Sequence, residues 1–528
     1  MFSKIYSTFK IELSFIKEAL VSLKNHASAD LKVNGVWYAF IFAILFIFLR
    51  ELVLDTIAYN DYFTSFTHLY NKSFNKMGFK NWFILDDQRF MFYLWAWFVN
   101  SVKLPLGVIV FIFIFFAYIN SILLLYIIEL LGKIQLNLFI KLSFIILYFL
   151  IIMSFLKGDY FLGYLGCSAY LSISNLWMFL FLLFCYITLT SFYSNNINYV
   201  SSLIVGITGS CIVGSYSAGL FHIFYLLLFA FLYEYFYINK KHNIKELITR
   251  IIKYLIILIL ILMFLRLINA YILGSFDVGS PDYRKLNHLS FKDIIRFCLR
   301  ALRQVISEKY IVALIPLFIL AVCKITTNNI WRGVLLVILF LSIYIVFIPE
   351  LLLKQTGATI RLYAVFIYIS YIMLVCLILY RHSKIYLYLG ILVTVLNLCF
   401  FNKFIKNIEE VQKLNKTNTY TIENINREYK ALCPTMDCQL LLLADVTLLE
   451  NQNNFYLPTW WVLDVDNNLI IKGMTGNPHH YRYMSDMKDK KLKAIWEEKS
   501  KLGIRYPMEG SIIKAVNDNG KTVIIVFV

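Results

Sequence analysis

The amino-acid sequence predicts an all-α polytopic membrane protein that ends in a small α+β domain. Three observations carry this prediction. The chain has 528 residues, 60% of them hydrophobic, with a mean hydropathy of +0.69, well above the apolar share of ordinary soluble domains. Many runs of 18 or more residues are nearly free of charge, each long enough to cross a hydrocarbon core of roughly 30 Å as a helix. After residue 401 the composition turns polar, and short apolar strands replace the long runs.

Residues 1–34 come first, with Lys4, Lys10, Lys17, Lys24 and Lys32 set among Ile5, Phe9, Leu13, Ile16, Leu20 and Leu23 at helical spacing. The pattern predicts an amphipathic helix, lying on the inner leaflet or packed on the protein's own cytoplasmic face. With this polar stretch ahead of it, the first apolar run reads as a retained signal anchor rather than a cleavable signal. Eleven spans follow, at about 36–54, 106–131, 136–156, 175–194, 198–216, 218–238, 252–273, 310–324, 333–349, 362–380 and 385–401. Charge is scarce inside them, Arg266 and the span edges apart.

Orientation follows from the bias of Lys and Arg toward cytoplasmic loops. An inside N-terminus puts Lys133, Lys240–Lys241–Lys245–Arg250, Lys324 with Arg332, and Arg381 with Lys384 all in the cytoplasm. The net charge of +18 therefore belongs to the membrane surface and not to a nucleic-acid partner. The segment Glu51–Pro105 then lies outside the cytoplasm, as do loops near 158–175, 275–309 and 349–361, and an odd span count sends residues 402–528 outside too.

That last part predicts helices near 403–415, 420–432 and 484–501, and strands at Leu440–Leu443 and Trp460–Val465. A closing hairpin joins Ser511–Val516 to Thr522–Val528 through Asn519-Gly520, a strong local turn signal. Cys433 and Cys438 flank Pro-Thr-Met-Asp and are a disulfide candidate on the outer side. Cys185, Cys211, Cys323, Cys376 and Cys399 lie in or beside apolar runs and read as small core residues.

Candidate chemistry concentrates in Glu51–Pro105, which holds Asp55, Asp61, Asp86, Asp87 and Arg89 amid Tyr, Phe and Trp, Trp82 included. A carboxylate against an apolar wall suits a general base, and Arg89 offers a forked donor to phosphate. These acids could equally cap interfacial helices. In the 275–309 loop, Ser290-Phe-Lys-Asp293 has the capping-box form. Lys292, Arg296, Arg300 and Arg303 then recur on one helical stripe, placed to meet a lipid-linked phosphate or anionic headgroups. Arg361, at an outer span mouth, would add to that anion site or snorkel to the interface. Tyr216 lies where another span reaches the outer side. No Walker loop, dinucleotide turn, H-E-x-x-H or G-x-S-x-G is present, and His479-His480 has no third ligand close in sequence.

The order of one span, an outer loop with an acidic motif, a Trp and an Asp-x-Arg segment, then the second span, resembles the GtrII-like glucosyltransferases that modify bacterial O-antigen. They belong to the wider GT-C class of polyprenyl-phosphate-sugar enzymes. Asn60-Asp61-Tyr62, Trp82 and Asp87-Gln88-Arg89 carry the likeness, with Gly214-Ser215-Tyr216 as a looser element. Asn60 stands where the motif has an acid, Gln88 where it has Gly, and Ser217 where it has Gln.

The resemblance implies transfer of a sugar, glucose by analogy, from a polyprenyl-phosphate carrier to a lipid-linked glycan. This would occur at the periplasmic face of the bacterial inner membrane. It implies Asp61 as base with Asp87 as the alternative, and Asp86, Trp82 and Tyr216 lining the substrate site. Arg89, Lys292, Arg296, Arg300, Arg303 and Arg361 would hold the phosphate. No cofactor is implied, a divalent metal stays an open alternative, and a small flippase and a donor synthase encoded elsewhere would supply the carrier. Two other classes share much of the pattern: a Wzy-type O-antigen polymerase, and a lipid-oligosaccharide flippase or other transporter, which calls for ionisable residues buried among the spans.

Overall fold

The computed structural model describes residues 2–54, 106–132, 134–154, 176–184, 316–317, 319–324, 326–345, 379–380, 383–435, 438–443, 489–504 and 508–527, with isolated positions between them. Five long helices and three strands follow in chain order: α1 (Phe2–Leu54), α2 (Leu106–Gly132), α3 (Leu138–Ser154), α4 (Asn329–Ile345), α5 (Ile385–Leu432), β1 (Gln439–Leu443), α6 (Lys490–Lys501, a shorter helix), β2 (Ile512–Val516) and β3 (Thr522–Phe527). Among the described residues, three helical stretches are long and apolar enough to cross a membrane: Tyr6–Arg50, Phe111–Leu130 and Ile385–Lys406. Leu138–Leu150 is a shorter apolar helix.

The segments 106–131 and 136–156, predicted as spans, coincide with the helices α2 and α3 to within about two residues at each end, because each is a long apolar run with charge only near one end, at Glu129 and Lys141. Asn137 starts α3: its Oδ1 accepts from Ile140 N at 2.9 Å, satisfying one of the orphan donors of the first turn. Asn328 does the same for α4 through Ile330 N at 2.9 Å. Arg332 then folds back on the preceding turn, donating to the carbonyls of Thr326 (2.9 Å) and Cys323 (3.4 Å).

Two expected boundaries are absent. The N-terminal amphipathic segment and the first span are one helix of 53 residues, about 80 Å long at ~1.5 Å per residue. Gly35, the only weak point between them, is a helical residue whose missing Cβ would meet nothing closer than Leu31 atoms at 3.8 Å. The face formed by Ile16, Ala19 and Leu23 is buried, and Glu12 Oε2 accepts from Val200 N at 2.9 Å. This half of α1 therefore packs on the protein itself.

Likewise the last span and the helices expected at 403–415 and 420–432 are one element, α5. No Gly or Pro interrupts the run between Gly390 and Pro434, so the change from apolar to polar residues alters the helix's surroundings but not its backbone. Pro434 ends it by keeping Cys433 out of the α region, at φ −135° and ψ 78°.

α1 and α2 run antiparallel with interlocked rings: Phe46–Phe111 at 5.7 Å between centroids, Phe42–Phe115 at 6.1 Å and Phe42–Tyr118 at 5.1 Å. The Tyr118 hydroxyl donates to the Tyr38 carbonyl at 2.7 Å. α3 returns along α2, bringing Phe149 within 6.1 Å of Tyr118. α5 lays Leu389, Val393, Leu396, Phe400, Phe404 and Ile408 as one buried stripe, packing on α3, where Asn397 Nδ2 donates to the Ser143 carbonyl at 2.9 Å. Its opposite face (Leu387, Ile391, Val395, Leu398) is exposed and apolar, as a surface turned to lipid requires. Cys323 is also exposed and Cys399 only partly buried. The expectation that both are core residues is therefore corrected: outward positions on membrane helices need only be apolar, and a thiol satisfies that. Cys185, Cys211 and Cys376 lie outside the described residues.

At the C-terminal end the strands form one sheet in the order β1-β3-β2. β3 is central, parallel to β1 (Gln439 opposite Val523) and antiparallel to β2 (Val516 opposite Thr522). The predicted hairpin is there, with Gly520 at φ 74°, a conformation that costs glycine little. Val523, Ile525 and Phe527 meet Leu492, Ile495 and Trp496 of α6 on one face. Ile524 and Val526, which alternate to the other face, are equally buried; the end of α5 packs on β2 and β3. The expected strand at Trp460–Val465 and His479-His480 lie outside the described residues.

Candidate functional site

The residues singled out by sequence divide sharply. Asp61, Trp82, Asp86, Asp87, Arg89, Tyr216, Arg300 and Arg361 lie outside the described residues. Lys292, Arg296 and Arg303 are helical and exposed. Ile295 and Leu299, 45% and 61% exposed, share that helical stretch, so it presents cations and apolar side chains outward together. Cys433 and Cys438 are joined as a disulfide with their Cα atoms 6.2 Å apart, and the Tyr429 hydroxyl donates to the Cys438 carbonyl at 2.7 Å. Among the described residues, no group of three or more His, Cys, Asp or Glu side chains is arranged to hold a metal.

What the structure builds, and the sequence did not single out, is a closed ionic cluster where α1, α2 and α3 meet. Lys141, in the first turn of α3, reaches Asp30 Oδ1 at 2.6 Å and Glu129 Oε2 at 3.0 Å. Asp30 Oδ1 also accepts from Asn34 Nδ2 at 2.7 Å, and Oδ2 accepts from the hydroxyls of Tyr38 (2.6 Å) and Tyr126 (2.9 Å). Glu129 Oε1 accepts the backbone N–H of Leu136 at 2.7 Å, which ties down the connection between α2 and α3. Glu129 Oε2 meets His26 Nε2 at 2.9 Å, and the His26 imidazole lies edge-on to the Tyr126 ring, 5.5 Å between centroids. Lys141, Asp30 and Glu129 are buried, whereas the His26 side chain keeps 25% of its surface exposed.

The local reasons are legible in retrospect. His26, Asp30 and Asn34 stand four residues apart, and Tyr38 four further on, so they share one face of α1. Glu129 and Lys141 occupy the last turn of one helix and the first turn of the next, and a short connection brings them side by side. Each carboxylate oxygen has at least one donor, as a buried charge requires.

The cluster also marks one end of the α1–α2 pair. Because α1 and α2 are antiparallel, with His26–Glu129 at one end of the pair and Phe46–Phe111 toward the other, Leu54 and Leu106 both lie beyond the Phe46–Phe111 contact, at the end away from the cluster. Comparison with family models, curated proteins and solved structures finds no match for this chain.

Proposed function

We propose that the chain is an eleven-span membrane glycosyltransferase with an extracytoplasmic α+β C-terminal domain, acting at the outer leaflet of a bacterial inner membrane. It moves a sugar from a polyprenyl-phosphate carrier to a lipid-linked glycan. Asp61, or Asp87 in its place, removes the acceptor proton, and Arg89 with the Lys292–Arg303 stripe and Arg361 neutralises the departing phosphate. Because the leaving group is already an anion, no general acid is required.

The observation that carries this reading is the antiparallel α1–α2 pair. It puts Leu54 and Leu106, where the two helices end and begin, at the end of the pair away from the Asp30–Glu129–Lys141 cluster. With the N-terminus inside, as the distribution of short basic loops favours, that end faces out, which supports the outer location expected from sequence for the aspartates and arginine between these two helices. The Cys433–Cys438 disulfide supports an extracytoplasmic tail, because such bonds persist in oxidising compartments.

The test is mass and linkage analysis of surface glycan from cells carrying the wild-type chain, Asp61→Asn or Asp87→Asn at matched protein levels. Loss of one sugar substituent with either variant is expected; full modification with both would remove these carboxylates from the mechanism.

One observation favours a second reading. A transporter of lipid-linked oligosaccharide calls for ionisable groups buried among its helices, and Asp30, Glu129 and Lys141 are such groups. Their full engagement with one another, and the place of Glu129 and Lys141 at the ends of α2 and α3, argue instead for a fixed clasp.

A further inference from the structure

We propose that the helix ends at Lys324, Arg332 and Lys384 form a binding site for an anionic phospholipid, with the headgroup phosphate on the three cations and the acyl chains along α4 and α5. The inference stands apart from the transferase reading, which uses other residues.

Three chain segments meet there. The helical stretch 319–324 ends at Lys324, α4 begins at Asn329, and α5 begins just after Lys384. The Tyr380 hydroxyl donates to the Leu320 carbonyl at 2.8 Å, and the Lys324 ammonium lies 5.6 Å from the centre of the Tyr380 ring, within reach of a cation–π attraction. Ser383 folds back on the same residue, its Oγ donating to the Tyr380 carbonyl at 2.9 Å, and Lys384 follows directly. Arg332 donates to the Thr326 and Cys323 carbonyls and to Asn329 Oδ1 at 3.0 Å. A guanidinium has five donors, so these bonds fix its plane and leave two donors over.

No carboxylate offsets this charge among the described residues, whose ion pairs all belong to the Asp30–Glu129–Lys141 cluster and its His26. Between Glu308 and Glu409 the sequence has one acid, Glu350, which lies beyond the far end of α4 in sequence. Apolar residues begin within a turn of the cations. Ile330, Val334 and Val337 share one face of α4, and Leu387 and Ile391 one face of α5, all of them exposed. A soluble anion would meet the cations and leave those side chains bare. A phospholipid covers both, as acidic headgroups do at basic sites between membrane helices. The bias of short basic connections puts this end at the inner leaflet.

The experiment is photo-cross-linking of the full chain in phosphatidylcholine nanodiscs, read by peptide mass spectrometry over residues 316–332 and 383–391. The probes are phosphatidylglycerol and phosphatidylcholine, each carrying a diazirine near the top of one acyl chain and used at equal mole fraction. The phosphatidylglycerol probe is expected to label these peptides more by at least about fivefold, the scale of one lysine near a charged surface. Lys324→Gln with Lys384→Gln should abolish that preference, and Lys324→Arg with Lys384→Arg should keep it. Lys491→Gln with Lys521→Gln, the same charge loss on the C-terminal domain, should leave it unchanged. Equal labelling by the two probes, or an undiminished preference in the Lys324→Gln, Lys384→Gln pair, overturns the proposal. So does displacement of the phosphatidylglycerol probe by inorganic phosphate at constant ionic strength, which would make this a site for a soluble anion. Should the glutamine pair not fold, the wild-type comparison of the two probes decides by itself.

Discussion

Replacing Lys141 by methionine keeps the volume of the side chain and removes the one ammonium that Asp30 and Glu129 share. The side chains of Lys141, Asp30 and Glu129 retain 2%, 6% and 0% of their surface, so water cannot enter to solvate what is left. Two buried carboxylates would then face each other with only hydroxyl, amide and imidazole donors around them. Removing one partner of a buried ion pair costs about 3–5 kcal/mol, a large share of the roughly 5–15 kcal/mol by which folded domains are stable. The loss should appear as a drop in the unfolding midpoint in mild detergent, followed by circular dichroism or by SDS titration. A companion variant separates charge from shape. Asp30→Asn with Glu129→Gln and Lys141→Met removes every full charge but keeps the Tyr38, Tyr126 and Leu136 hydrogen bonds, and should return close to wild-type stability. A cost for Lys141→Met below about 1 kcal/mol, the scale of an exposed pair, would refute the closed cluster. So would a triple variant no better than the single one.

Two further outcomes follow from the helix termini and interior. Gly35→Ala fills no occupied space, since the nearest atoms to the added Cβ lie at 3.8 Å. It should raise stability by about 1 kcal/mol through helix propensity, and a loss on SDS titration would mean α1 is not continuous there. Asp518 accepts from Lys490 N at 2.7 Å and so caps α6 from the hairpin, while Asp489 Oδ2 accepts from Asp518 N at 2.9 Å. Asp518→Ala should cost about 1 kcal/mol, seen as faster amide exchange confined to residues 490–493.

How much of this was readable in advance depended on whether a signal was local. α2 and α3 were visible because a run of apolar residues is its own evidence, and the hairpin because Asn519-Gly520 demands a left-handed turn. The continuity of α1 and α5 is hidden, because a boundary in composition reads as a boundary in structure. In α1 the lysine-bearing half and the apolar half have different periodicity, yet no residue between them prevents helical backbone. In α5 the polarity rises from Lys403 onward while the hydrogen-bond ladder carries on to Leu432. The predicted carboxylate site stands where it stood on sequence alone, since its residues lie outside those described.

The clasp was missed for a different reason, and the reason bears on function. Asp30, Glu129 and Lys141 each sit within a few residues of an apolar run. Taken one at a time, each is an ordinary interfacial charge, expected to reach for water. Only the pairing of helices turns three such charges toward one another, and that pairing is non-local: Asp30 and Lys141 are 111 residues apart. The usable clue was an acid in the last turn of one apolar helix and a base in the first turn of the next, a pair whose attraction closes a helical hairpin. With α1 and α2 locked by the cluster, their Leu54 and Leu106 ends cannot separate without straining it, so on the transferase proposal these two helices are a fixed frame for the site. If the transferase proposal holds, a variant that opens the clasp should reduce sugar transfer without touching any group near the substrate, whereas Asp61→Asn should abolish transfer and leave the clasp's hydrogen exchange unchanged.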